Sequence, residues 1–165
     1  MTNAPDLWAG TAVKAAGITE ATATGQAVLS RANIFAMTQD AEDAVLRPAD
    51  PGAWPHGMRA ALACRIACLN DAQVLADHYG AMMGTEHSAL ANPLDTGADD
   101  DLAPLLAFMD KVAARPRDIT ADDISGLLAA GVSDADIVRL TELNAFLGYQ
   151  IRLVAGLTLL SEASA

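Results

Sequence analysis

The feature that most restricts this chain is a stripe of side chains at Ile137, Leu140, Asn144, Leu147, Ile151, Val154 and Thr158, recurring every three or four residues. Such spacing keeps all of them on one face of an α-helix, whereas the two-residue period of a strand would scatter them over both faces. The segment is read as one long terminal helix. Immediately before it, Ser133-Asp-Ala-Asp136 supplies a helix start, and Gly131 a left-handed stop for a shorter helix that begins at Thr120-Ala-Asp-Asp123 with capping-box spacing. Stop and start signals side by side predict a C-terminal αα-hairpin.

The same periodicity recurs upstream. Met58, Leu62, Ile66 and Leu69 define one helix, Val74, Leu75, His78, Tyr79 and Met82 a second, and Leu102, Leu105, Leu106, Met109 and Val112 a third; one or two more fit between Ala21 and Leu46. Three prolines between Arg47 and Pro55 mark the clearest loop. Asn70-Asp71 reads as a helix break with Asp71 as the following N-cap, Gly84 to Asp100 as a long polar connector, and residues 1–20 as an N-terminal arm. Hydrophobic residues make up 52% of the chain but aromatics only 4%, and the alanine and leucine that fill the difference lose little freedom in a helix. An all-α single domain spanning residues 1–165 is expected, with an apolar surplus suited to a homo-oligomer interface.

A net charge of −11 opposes nucleic-acid binding, because phosphate is repelled at long range. The acidic runs Asp40 to Asp43, Asp99 to Asp101 and Asp118 to Asp136 read as solvated helix ends and loops. Arg139, Glu142, Asn144, Gln150 and Arg152 interrupt the longest apolar stretch, so no membrane span is expected. Met1 to Gly10 lacks the pattern of an export signal, and two cysteines do not make a disulfide scaffold; a cytoplasmic, reducing setting is expected. Phosphate-binding loops, serine-nucleophile motifs and a tight second pair of metal ligands are absent from the sequence, so no cofactor and no metal are expected.

Within Ile119 to Gly156, the order Tyr149-Gln-Ile-Arg152 then Gly156 resembles the terminal hairpin of the alkylhydroperoxidase D-like superfamily. Leu46-Arg-Pro-Ala-Asp-Pro-Gly52, the run from Arg59 to Asp71 and Leu75-Ala-Asp-His-Tyr79 are similar to its carboxymuconolactone decarboxylase subgroup, so that the resemblance covers most of residues 40–160. It implies an AhpD-like helical fold whose core lies around His78 and the terminal hairpin, usually assembled as an oligomer. Active peroxidase-related members carry Cys-x-x-Cys followed one turn later by histidine, with an upstream glutamate that passes protons. Aligning that histidine with His78 puts Asp71 and Val74, or Ala72 and Leu75 after a one-residue shift, at the cysteine positions, and Arg59 near the glutamate's. Only the histidine remains, and dithiol peroxide reduction loses both its sulfurs.

His78, Asp71, Cys64 and Cys68 are the candidate catalytic residues, and Arg59 and Arg65 the candidate substrate-binding ones. His78 has acid–base chemistry near neutral pH, or is a hydrogen-bonded core histidine; Asp71 orients it only if their helix is continuous. Cys64 and Cys68 share a helix face but run parallel, which disfavours a disulfide and leaves small packed side chains or a redox role. The arginines are an anion clamp, or partners of Glu142 and Asp77. Three functions stay open: a family member without peroxidase activity that binds a small ligand or a partner, an antioxidant or lyase-like enzyme using His78, and an accessory subunit.

Overall fold

A computed structural model describes residues 6–97 and 101–164, so Asp99 and Asp100 of the second acidic run and the first five residues of the arm lie outside the described residues. These residues form helices and connections, with no strand among them. Packing divides the chain into two compact units, one drawing on Met1–Ala44 and Tyr149–Ala165 and the other on Val45–Gly148.

The first unit holds a 3-10 turn at Leu7–Ala9, α1 (Thr11–Ala15), α2 (Ala23–Leu29), most of α3 (Ala32–Leu46) and the distal half of α9 (Asp134–Ala163). Its apolar centre is Val13, Ile18, Val28 and Leu157, with Leu7, Trp8, Phe35 and Leu153 packed around them. The arm read as residues 1–20 is thus, from Asp6 on, part of a core: Ala12, Val13 and Ile18 are buried.

In the second unit, α4 (His56–Leu69) is the hub. Every residue from Met58 to Ala67 is buried, a pattern that belongs to a helix covered all round. Its alanines let α5 (Gln73–Gly80), α6 (Ser88–Ala91) and α7 (Ala103–Ala114) pack on it, while α8 (Ala121–Ala129) packs on α7. Leu62, Ile66, Leu75, Leu105, Leu106, Leu127, Leu140 and Leu143 fill the interior. Each such side chain contributes about 1.5–3 kcal/mol of hydrophobic stabilisation.

The hairpin signals act as read. Asp123 accepts the Thr120 backbone N–H at 2.7 Å and its hydroxyl at 3.1 Å, at the head of α8. At the other end Gly131, with φ 84°, lets Val132 N–H reach the Leu127 carbonyl and Gly131 N–H that of Leu128, each at 3.0 Å. Ser133 then accepts the Asp136 N–H at 3.2 Å and donates to its carboxylate at 2.7 Å, starting α9.

Two expectations change. The polar connector after Gly84 contains a 3-10 turn and the short α6, anchored by buried Leu90 and Ala91. Asp71 is not an N-cap: it takes φ 55° in the turn after α4, and Ala72 precedes α5 without a side-chain cap. By length and composition alone α9 is long and apolar enough to cross a bilayer, a property that the core helix of a folded domain also has.

Candidate functional site

Arg59 and Arg65 sit in the buried stretch of α4, each 2% exposed, and a buried guanidinium needs acceptors. Arg59 donates to the carbonyls of Trp54 at 2.8 Å, Val45 at 2.8 Å and Pro51 at 2.9 Å, tying the proline-rich loop to α4. Burial lowers its pKa, with the Arg139 charge adding to the effect. Arg65 forms a fork with Asp110, at 2.6 and 2.7 Å, and gives its remaining N–H groups to the carbonyls of Leu90, Asn92 and Pro93. The expected partners were Glu142 and Asp77; Asp110 and loop carbonyls take their place, and both side chains are committed inside the protein.

Cys64 and Cys68 are free thiols on α4, Cys64 buried and Cys68 half-buried. Helix α5 passes close over the former, for a Cβ at Gly80 would stand 3.7 Å from its sulfur. Burial pushes the Cys64 thiol up to about 11, and the neighbouring Cys68, by charge and by hydrogen bond, pushes the same way. Since the thiolate is the nucleophile, Cys64 rests in its unreactive form at neutral pH.

His78 is half-buried on α5, with Tyr79 meeting it edge-on at 5.0 Å between ring centres. The continuous helix that Asp71 needed in order to share its face is interrupted between Leu69 and Gln73, and Asp71 lies in that interruption. His78 lines neither of the two cavities described below. Among the described residues, no three His, Cys, Asp or Glu side chains are grouped to hold a metal ion.

Instead, the larger cavity belongs to the first unit. A half-open cleft of about 440 Å³ runs between the segment Asp6–Val13 and one side of α3. Leu7, Val13, Phe35 and Ala36 are among its apolar lining residues, and Asp6, Thr11, Asn33, Thr38 and Gln39 among its polar ones. The polar members are fixed from behind. Thr11 N–H donates to Gln39 Oε1 at 3.0 Å, its hydroxyl donates to Glu42 Oε1 at 2.8 Å, and Gln150 Nε2 donates to Glu42 Oε2 at 2.7 Å. Thr38 and the Tyr149 hydroxyl share a hydrogen bond of 2.9 Å.

Glu42 is 2% exposed and Gln150 is fully buried, so this carboxylate is held away from water by donors on both oxygens. That corrects the reading of Asp40 to Asp43 as a solvated run: Asp40 is exposed, but Glu42 turns inward from the middle of α3. A second cavity of about 190 Å³, in the other unit, is lined by Trp54, Leu105, Val132 and Asp136 among others. There the Trp54 indole donates to the Asp136 carbonyl at 3.1 Å. Burial works against the charged form of Asp136, but hydrogen bonds from Ser133, Ala53 and Arg139 outweigh it and hold its carboxyl below the usual range.

No family model, curated protein or solved structure matches this chain.

Proposed function

We propose that this chain is a helical small-molecule-binding protein of the alkylhydroperoxidase D-like kind, without dithiol peroxidase activity, and that its ligand enters the cleft beside α3. The observation that carries this is the cleft: its volume of about 440 Å³ falls in the range typical of small-molecule sites, with apolar walls and a few fixed polar groups. Support from the thiols is negative in the same sense. Cys64 is held protonated, and the family's redox spacing is missing.

Homo-oligomerisation is part of the proposal. Met37 at 63% exposed and Leu159 at 66% are large apolar side chains left in solvent, and a second copy would cover them. Light scattering reads this, with a monomer at all concentrations as the contrary result.

The test of ligand binding is a titration with N-phenyl-1-naphthylamine, an uncharged apolar fluorophore. Saturable enhancement is expected for the native chain and its loss in Ala36→Trp, which places an indole in the cleft from a half-buried position. Ala9→Phe, from an exposed position on the cleft, serves if the first variant fails to fold. Undiminished binding in folded variants contradicts the proposal.

A further inference from the structure

One face of α3 is turned to solvent. Thr38 and Glu42 are buried and Phe35, Ala36 and Gln39 line the cleft, whereas Ile34, Met37, Ala41 and Ala44 are exposed. Their spacing of three, four and three residues is that of the apolar seam of a helix packed lengthwise against another helix. The chain carries a net charge of −11, yet the seam itself is uncharged, with Asp40 exposed at its edge. Along its length the seam changes size: Ile34 and Met37 are bulky, Ala41 and Ala44 small.

A surface that meets its own copy about a two-fold axis must be self-complementary. With the axis near the middle of α3 the two helices run antiparallel, and each sets its bulky pair on the alanines of the other, which let the backbones approach closely. Two acidic chains repel at long range, so an uncharged seam is where they meet at least cost. Asp40 stays hydrated at the edge, its repulsion screened beyond about 8 Å at physiological ionic strength. At about 18 Å by 10 Å the seam falls well short of the roughly 800 Å² that a standard dimer buries on each partner. Tyr149, whose hydroxyl shares a hydrogen bond with Thr38, continues the exposed surface along α9 to Ala155, Gly156, Leu159 and Leu160, which places the pairing among weak, concentration-dependent dimers. Resting on the reading of the chain as a homo-oligomer, we infer that its partner is a second copy docked α3 to α3, antiparallel, with Ile34 and Met37 of each chain seated on Ala41 and Ala44 of the other.

Sedimentation velocity of the full chain over a range of concentrations tests this, with helical ellipticity confirming that each variant is folded. The native chain is expected to pass from monomer to dimer as concentration rises. Met37→Asp is expected to weaken the dimer about ten-fold or more, as loss of a central apolar contact does. Ala41→Phe is expected to weaken it as well, although it adds apolar surface, because the ring fills the space that receives Met37. Leu94→Asp, at an exposed apolar position in the other unit, is expected to leave the dimer unchanged. A dimer undiminished by Met37→Asp or strengthened by Ala41→Phe overturns the inference, as does a trimer, while homo-oligomerisation itself stands. A chain that is monomeric at every concentration overturns both, for the face of α3 then has another occupant or none.

Discussion

Gln150 and Glu42, 108 positions apart in the sequence, are joined by a 2.7 Å hydrogen bond from side-chain amide to carboxylate. Neither side chain has appreciable contact with water. A buried charge short of a donor carries the full penalty of desolvation, which exceeds the net value of the bond itself. Gln150→Leu is therefore expected to destabilise the fold by about 1–3 kcal/mol, read as a lowered urea midpoint. An unchanged midpoint shows that the carboxylate does not depend on this amide.

Arg65 is committed through every nitrogen, to Asp110 and to three carbonyls. Lysine has one ammonium and cannot reproduce the fork. Because the partly exposed Asp110 stays hydrated and lysine keeps the charge, Arg65→Lys is expected to cost about 1–3 kcal/mol, for the carbonyls left without donors, and Asp110→Ala a comparable amount. Chemical denaturation checks both; a loss below about 1 kcal/mol would place the pair among exposed bridges of little consequence.

Which of these arrangements the sequence displayed depends on how local their causes are. The ends of α8 and the start of α9 were legible because capping at Thr120 and Ser133 and the left-handed stop at Gly131 act within a few residues. The short α6 was not, since Ser88–Ala91 is too brief to show a period and is anchored by what Leu90 packs against. Asp71 was assigned a cap from its chemistry, but the turn needed a left-handed residue there and Ala72 took the position before α5. Glu42 looked like one more acid in a solvated run because its partners, Thr11 and Gln150, are 31 and 108 residues away. The arginines of α4 were visible as unusual, yet their acceptors are loop carbonyls, which leave no trace in side-chain identity.

Cys64 gives a signature at alkaline pH. The folded chain keeps this proton up to about 11, against an ordinary 9.0. Between those values the unfolded chain binds fewer protons than the folded one, so this contribution to stability is complete below about pH 9 and is lost as pH rises toward 11. Cys64→Ala is expected to flatten the alkaline fall in urea midpoint, and iodoacetamide is expected to label Cys64 slowly at pH 7. Rapid labelling of Cys64 in the folded protein contradicts this.

On the acid side the relevant groups are Asp123 and Asp136. Hydrogen bonds from Lys111 and the Thr120 backbone hold the Asp123 carboxyl below its usual range. Asp136 is held low by Ser133, Ala53 and Arg139 against the opposing effect of burial. Carboxyls depressed in the folded state stabilise it above the unfolded value of about 3.9, and that contribution disappears as pH falls through the folded values. Asp136→Asn is expected to lower stability at pH 7 and to reduce its dependence on pH below about 4, as followed by helical ellipticity. An acid transition identical to that of the native chain is the contrary result.

The central claim is that binding takes place beside α3, while the cysteines and His78 serve structure. Backbone amide shifts in a two-dimensional NMR titration with N-phenyl-1-naphthylamine test it directly. Saturable changes concentrated at Thr11, Val13, Phe35 and Gln39 are predicted, with Cys64, Cys68 and His78 unmoved; changes centred on His78 and the thiols, with the α3 amides silent, would contradict it.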